Sequence, residues 1–185
     1  STTLRLGSGR CVEETVLVEV ERAEVVFFSS PAGNRYYDLI AGVTVNDVGH
    51  ANPAVIEAVQ RQAAQYMHVM VYGEMVERPQ VEYATRIASL LPENFDSVYF
   101  LNSGSEAVEG ALKLAKRYTG RTELISFVGA YHGSTQGALS VMGGEAFKNA
   151  FRPLLPDTRP IRSNDFDDLP YITARTAAAI TEPVK

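Results

Sequence analysis

Val98-Tyr-Phe-Leu-Asn-Ser-Gly-Ser-Glu-Ala107 joins a short apolar run to the start of a predicted helix. The first four residues have the composition of a buried strand, and Ser103 and Glu106 have the S-x-x-E spacing of a capping box. A helix is predicted from about Glu106 to Tyr118, because apolar residues recur there at i, i+3, i+4 and i+7. The stretch therefore predicts a strand, a tight turn and a helix in direct succession.

The same alternation continues towards the C-terminus. Apolar runs predict strands at Leu124–Val128 and Ala177–Thr181, with a helix between them at about Thr135–Val141. A loop with three prolines and a short helix near Asp167 precede the last strand. The prolines are Pro153, Pro156 and Pro160. Strands that alternate with helices predict an α/β fold, in which a mostly parallel sheet carries helices on both faces and ligands bind beyond the carboxyl ends of the strands.

The N-terminal part has a different pattern. Apolar and acidic residues alternate between Val16 and Val26, which predicts an early strand. Turn-forming residues at Pro31–Asn34 separate it from a second strand candidate at Arg35–Ile40. A small β-rich subdomain built on this hairpin is therefore predicted.

Two helices are predicted after this subdomain. Asn52 is a suitable N-cap and Pro53 suits the first helical position, so one helix should run from there to Gln65. The second should run from about Gln80 to Leu91, before Pro92.

Composition excludes several classes of function. The 185 residues carry 17 Lys and Arg against 22 Asp and Glu, and the scattered basic residues argue against a nucleic-acid surface. No apolar run approaches the ~20 residues of a membrane span, and the first residues lack a signal-peptide core. The single cysteine, Cys11, has no disulfide partner and no metal-type spacing. We expect a cytoplasmic protein with no nucleic-acid, membrane or metal partner.

The turn at Ser103, Gly104 and Ser105 is a candidate anion site. Small residues let backbone N–H groups converge on an anion at a helix N-terminus, where the helix dipole adds positive charge. A phosphate bound there would also gain a hydrogen bond from a serine hydroxyl. The alternative is a capped helix that binds no ligand, and the motif alone leaves both possibilities open.

The loop after the next predicted strand is Gly129-Ala-Tyr-His-Gly133. Tyr131 could offer a flat surface to a planar ring, and His132 could donate or accept a hydrogen bond beside it. The alternative is that Tyr131 packs within the loop and His132 is structural.

Glu182 follows the third predicted strand of this part of the chain. Its carboxylate could orient a hydroxyl or a water beside a bound ligand, or it could be an ordinary surface glutamate before Pro183. Because the carboxyl ends of parallel strands meet at one edge of a sheet, these three loops should lie together. For the first two loops that convergence favours a binding site over packing alone, whereas for Glu182 both alternatives stay open.

The order and spacing of these motifs resemble the class III, fold type I, pyridoxal-phosphate-dependent aminotransferases. The resemblance rests on Asn102–Ala115, Tyr131–Gly133 and Glu182-Pro183, with Tyr36–Asp38 and Gly49–Val55 matching the N-terminal region of the family. It runs from about Glu21 to Val184 and is strongest for acetylornithine and ornithine aminotransferases.

The resemblance implies roles for individual residues. The cofactor would be pyridoxal 5′-phosphate, with its phosphate on Gly104 and Ser105 next to Ser103. Tyr131 would stack on the pyridine ring, with His132 beside it and Glu182 near the cofactor.

Three further positions match the family's N-terminal region less decisively. Val43 and Tyr72 match positions near the substrate, but two side chains do not identify an amino donor. His50 also matches the family, and we expect it to be structural because Asn52 and Pro53 beside it suit a helix start.

The resemblance also implies an activity and an organisation. The enzyme would move an amino group from an ω-amino acid, such as acetylornithine or ornithine, to the 2-oxo acid 2-oxoglutarate, and would act as a homodimer. Residues 1–50 would be the N-terminal segment of the small domain. Residues 51–185 would be the first part of the large cofactor-binding domain, so this domain is incomplete here.

The family's catalytic lysine has no counterpart in this chain. That lysine holds the cofactor as a Schiff base, whereas the lysines here lie in a predicted helix, in an amphipathic stretch or at the C-terminus: Lys113, Lys116, Lys148 and Lys185. Three acidic residues, Asp165, Asp167 and Asp168, have the setting of a polar loop and helix cap rather than of a pyridine partner. We expect the lysine to lie beyond Lys185, in a longer enzyme. The alternative is a non-catalytic, aminotransferase-like binding module.

Overall fold

The computed structural model describes residues 18–70 and 73–183. The chain divides into two compact units, between Val81 and Glu82. Cys11, Tyr72, Lys185 and the first part of the strand predicted from Val16 lie outside the described residues. Within the described ranges, every helix is too short or too polar to cross a membrane. The domain boundary predicted near residue 50 stays a prediction.

The first unit contains a three-stranded antiparallel sheet of β1 (Arg22–Glu24), β2 (Phe27–Ser29) and β3 (Arg35–Tyr37) in the order β1-β2-β3. The β2–β3 turn closes with the Ser30 N–H donating to the Asn34 carbonyl over 2.9 Å, which confirms the predicted turn. The partner of β3 differs from the prediction, because β3 pairs with β2 and not with the strand predicted before Val26. The strand predicted up to Val26 is too long, because Val25 has a φ of 53° that breaks the extended backbone.

A short segment, α1 (Ala41–Thr44), follows β3 with an unusual backbone. All four residues have positive φ, with values of 47°, 66°, 63° and 58°, where side chains other than hydrogen are disfavoured. Asp38 Oδ1 holds the segment by accepting hydrogen bonds from the N–H groups of Ile40 and Ala41 over 3.2 and 2.8 Å. Val43, the position matched to the substrate region, is exposed.

His50 belongs to the network that supports this segment. Its Nε2 lies 2.6 Å from Asp38 Oδ2, and its Nδ1 lies 2.8 Å from the Asn46 side-chain amide. The Val25 and His50 backbones also pair, over 2.9 and 2.8 Å. His50 therefore has the structural contacts expected of it.

The helices α2 (Pro53–Gln65) and α3 (Arg78–Ala88) follow. Both predicted ends of α2 are confirmed, and the Asn52 side chain caps it by accepting the Ala54 N–H over 3.1 Å. The helix α3 begins two residues before and ends three residues before its predicted bounds. None of the described residues of either helix is buried.

The second unit is built on a parallel sheet. It contains α4 (Gly104–Thr119), β4 (Glu123–Phe127), α5 (Gln136–Ser140), α6 (Glu145–Lys148), β5 (Thr158–Ile161) and β6 (Thr176–Ala179). The strand order is β5-β4-β6, both pairs are parallel, and the central strand β4 is buried. Leu112 of α4, Leu124 of β4 and Val141 form the core cluster, with Ala177 and Ala178 of β6 against it. The predicted α/β fold is confirmed: this unit has a parallel sheet with helices, and the first unit has a small antiparallel sheet.

Two predictions about strands are wrong. Val98–Leu101 pairs with no other segment among the described residues, so it forms no strand. The proline-rich loop contains β5, which was not predicted. Pro160 lies in β5 because an edge strand tolerates a residue without an N–H, whereas a central strand does not.

The acidic cluster near the end of the chain has the predicted structural role. A 3-10 helix spans Phe166–Tyr171, and Asp165 caps it by accepting the Asp167 N–H over 3.0 Å. Asp168 is buried and accepts hydrogen bonds from the Arg162 guanidinium over 3.1 and 2.6 Å. These residues therefore stabilise the connection from β5 to β6.

Candidate functional site

The N-terminus of α4 forms a capped turn. Ser103 is the N-cap, and its Oγ accepts the Glu106 N–H over 3.2 Å. Glu106 reaches back one residue further than in a standard capping box, because its Oε2 accepts the Asn102 N–H over 2.8 Å. The N–H groups of Gly104 and Ser105 lie in the first turn, where a helix offers no carbonyl partner. The space where a Gly104 β-carbon would be is open.

The loop after β4 is fixed at its base and exposed at its tip. The Val128 N–H donates to the Ile161 carbonyl over 2.8 Å, and the Ala130 N–H donates to the Phe127 carbonyl over 3.0 Å. Ala130 is buried, whereas Tyr131 is 60% exposed. The Phe147 ring lies edge-on to the Tyr131 ring, with centroids 6.5 Å apart and an interplanar angle of 80°. His132 is half-buried.

This loop contacts the helix turn directly. Gly133 has a φ of 126°, and a β-carbon on it would overlap Ser105 Oγ, so only glycine fits. The next residue in the chain, Ser134, donates its N–H to Ser105 Oγ over 3.3 Å. Ser105 thus lies against the loop that carries Tyr131 and His132.

Glu182 lies against the same loop. Its Oε2 accepts the Tyr131 N–H over 3.3 Å, and it follows β6, whose carboxyl end is at the same edge as that of β4. Within the second unit, the structure therefore brings together Ser103, Gly104, Ser105, Tyr131, His132 and Glu182 at the carboxyl edge of the parallel sheet. What each residue binds stays a prediction.

Glu109 is a site residue that the sequence reasoning missed. Its Oε1 accepts hydrogen bonds from the Thr135 hydroxyl over 2.7 Å, the Gly137 N–H over 2.7 Å and the Ala138 N–H over 3.2 Å. It lies four residues after Ser105, and residues at this spacing share one side of a helix. That spacing was the only signal in the sequence.

The pKa of the Glu109 carboxyl is lowered from its ordinary value. Partial burial disfavours the charged form and would raise the pKa. The hydrogen bonds from Thr135, Ala138 and Gly137 and the charge of Lys113 together outweigh that effect. Glu109 is therefore a carboxylate at neutral pH.

The three lysines in the described part of the second unit either form an ion pair away from the site or lie further along α4. Lys148 is buried, and its Nζ lies 3.1 Å from Glu145 Oε1. Lys113 and Lys116 lie in the second half of α4.

The fold and the site define an α/β protein whose candidate site lies at the carboxyl edge of a parallel sheet, beside a helix N-terminus. The chain belongs to the class III aminotransferases, because the family model for aminotransferase class-III matches residues 10–185.

Curated relatives agree with this family. The acetylornithine aminotransferase of Methanopyrus kandleri is 42% identical over 156 residues, which cover 83% of this chain and 39% of that protein. A putative LysW-aminoadipate semialdehyde/glutamate semialdehyde transaminase of Pyrococcus abyssi is 40% identical over 169 residues, which cover 91% of this chain and 45% of that protein. The chain thus spans less than half the length of these relatives.

Solved structures show the same fold. The adenosylmethionine-8-amino-7-oxononanoate aminotransferase of Methanocaldococcus jannaschii has a TM-score of 0.75 at 33% identity, covering 80% of this chain and 35% of that one. An (S)-enantioselective omega-transaminase of Thermomicrobium roseum has a TM-score of 0.75 at 30% identity, covering 80% of this chain and 34% of that one.

Proposed function

We propose that the complete protein is a pyridoxal-phosphate-dependent aminotransferase that moves an amino group from an ω-amino acid of the acetylornithine or ornithine kind to 2-oxoglutarate. The observation that carries this proposal is the contact of Ser105 with Gly133 and Ser134, since it joins the helix turn to the aromatic loop. Family membership supports the reaction class, and the relatives named as acetylornithine aminotransferases support the donor class.

The residues present fit pyridoxal phosphate. The open space at Gly104 and the N–H groups of the first turn of α4 suit a phosphate dianion. The exposed Tyr131 ring suits a planar heterocycle. When bound, the cofactor supplies an electron-withdrawing ring.

The protein's own residues would orient this group. Ser105 and the α4 amides would hold the phosphate, Tyr131 would limit the tilt of the ring, and His132 would lie beside it. Glu182 would keep the Tyr131 backbone in place through the hydrogen bond that it accepts. None of these residues replaces the amine that must attach the cofactor. We infer that the catalytic lysine lies beyond Lys185 in the same polypeptide and that the active protein is a cytoplasmic homodimer.

The test uses the complete protein with added pyridoxal phosphate. We expect a visible absorbance band that borohydride abolishes, and transfer from acetylornithine or ornithine to 2-oxoglutarate. Tyr131→Ala should raise the Kd of the cofactor about fivefold, because aromatic stacking contributes roughly 1 kcal/mol. Tyr118→Ala, which removes an exposed phenol from α4, is the matched control. Absence of the band would refute the binding of pyridoxal phosphate. A band without amino-group transfer would favour a non-catalytic binding module.

A further inference from the structure

We propose that Glu109 is a positioning residue, which sets the spacing between the α4 N-terminus and the loop that carries Tyr131 and His132. The consequence for cofactor binding rests on the proposed function. The consequence for the loop itself does not.

The contacts of Glu109 join two segments that are distant in sequence. One oxygen of a residue in the second turn of α4 accepts three hydrogen bonds from residues 26 to 29 positions later. Thr135, the N-cap of α5, makes no capping bond of its own, and its hydroxyl donates to Glu109 instead. The first N–H groups of α5 therefore depend on a carboxylate from another helix.

Gly137 shows how closely this carboxylate is seated. Gly137 is buried, and a β-carbon on it would overlap the Glu109 carboxylate. The Glu109 carboxylate thus occupies the space that a side chain at residue 137 would need.

Two points of attachment on α4 fix the loop. Ser105 binds it at Ser134, and Glu109, one turn further along the same side of the helix, binds it at Thr135 and beyond. Without Glu109, Ser105 would be the remaining attachment of the loop to α4 among these contacts, while the hydrogen bonds at the base of the loop and the one from Tyr131 to Glu182 would persist. With both, its translation and its rotation relative to α4 are limited. Tyr131 lies only three residues before Ser134, so loss of the second attachment should shift the phenol ring relative to the Ser103–Ser105 turn.

The first measurement needs no cofactor. Amide hydrogen exchange at residues 131–138 is compared in the complete wild-type protein and in Glu109→Ala. We expect exchange to be at least about tenfold faster in Glu109→Ala, because three hydrogen bonds are lost. Glu109→Gln keeps the Oε1 atom that accepts all three bonds, so it should stay near wild type. Glu93→Ala, which removes an exposed glutamate of the same unit, should have no effect.

The second measurement uses bound pyridoxal phosphate. We expect Glu109→Ala to raise its Kd about tenfold, which corresponds to ~1.4 kcal/mol, and to change the circular dichroism per bound cofactor, since this signal reports the orientation of the ring. Glu109→Gln should restore both. Gly137→Ala should act like Glu109→Ala, and the double variant should be no worse than Gly137→Ala alone, because the two sites share one space.

The outcomes separate this inference from the proposed function. Wild-type protein that binds no cofactor would refute the proposed function, while the exchange experiment would still decide the role of Glu109. Normal exchange and normal dichroism in Glu109→Ala would overturn the inference and leave the proposed function intact. If Glu109→Ala does not fold, Glu109→Gln and Gly137→Ala decide, and equal, wild-type-like behaviour of both would overturn it.

Discussion

The helices α2 and α4 begin in the same way and end up in different surroundings. Each is amphipathic, and each is capped by a side chain, that of Asn52 for α2 and that of Ser103 for α4. Yet α4 places Leu112 in the core with Leu124 and Val141, whereas all 13 described residues of α2 are at least partly exposed.

This difference shows that the factors that start a helix are not the ones that determine how much the helix contributes to the stability of the fold. Caps and apolar spacing act within a few residues and set where a helix begins. Burial depends on which other segments pack against the apolar side, and that is not encoded locally. For α4 these segments are β4 and β6, whose side chains join Leu112 in the same cluster.

The largest expected effect tests this burial. Leu112→Ala should lower the free energy of unfolding by about 2–5 kcal/mol, because it removes buried methyl groups and leaves a cavity. Val59→Ala, at an exposed position of α2, should lower it by less than about 0.5 kcal/mol. Urea unfolding of the complete protein measures both. Equal losses would mean that the apolar side of α2 is covered as well, and the contrast between the helices would disappear.

A smaller effect is expected from the two caps. Asn52→Ala and Ser103→Ala each remove a side-chain acceptor from a helix N-terminus, so each should cost roughly 1 kcal/mol of stability. Only Ser103→Ala should also weaken binding of pyridoxal phosphate, since only that cap adjoins the predicted phosphate site. Thermal unfolding and cofactor titration of the two variants separate the effects. Equal loss of cofactor affinity in both would argue against the site at α4.

The smallest expected effect concerns a carboxylate of the first unit. The side-chain hydrogen bond with His50, followed by the Ala41 N–H, lowers the pKa of Asp38 from its ordinary value of 3.8. A lowered pKa means that the folded state favours the carboxylate. Its stabilising contribution is therefore complete above pH 3.8 and is lost as the pH falls through the lower, folded-state value.

Asp38→Asn isolates this contribution. Between pH 5 and pH 3, the urea midpoint of the wild type should approach that of Asp38→Asn as the pH is lowered. The pKa of Glu109 is also lowered from its ordinary value of 4.5. The urea midpoints of the wild type and of Glu109→Gln should therefore approach each other as the pH falls below 4.5. A gap for Asp38→Asn that does not depend on pH would show that shape, rather than charge, holds α1.

Local rules predicted most of the helices and turns. The start of α2 follows from Asn52 and Pro53, and the β2–β3 turn follows from the turn residues at Pro31–Asn34, because in both cases the deciding contacts are within a few residues. The strands were less predictable. Val98–Leu101 and Leu124–Phe127 have similar apolar composition, but only the second has neighbours to pair with among the described residues.

The candidate site shows the same division. The loops with Ser105, Tyr131 and Glu182 could be found because each follows a predicted strand. Glu109 could not be found in this way, because nothing in the sequence around it indicates that it binds residues 26 to 29 positions later. The family resemblance supplied the combination of loops. It did not supply the contact that holds them together.

The run from Ala41 to Thr44 has a consequence for chirality. Four successive residues have a positive φ, and Gly42 and Val43 adopt the mirror image of the ordinary helical conformation, which costs roughly 1–2 kcal/mol for each β-carbon of natural handedness. Gly42, which is achiral, escapes this cost. The genetic code offers no second achiral residue. In a chemically synthesised chain, D-alanine at position 41 would fit the local backbone better than the alanine that the ribosome inserts.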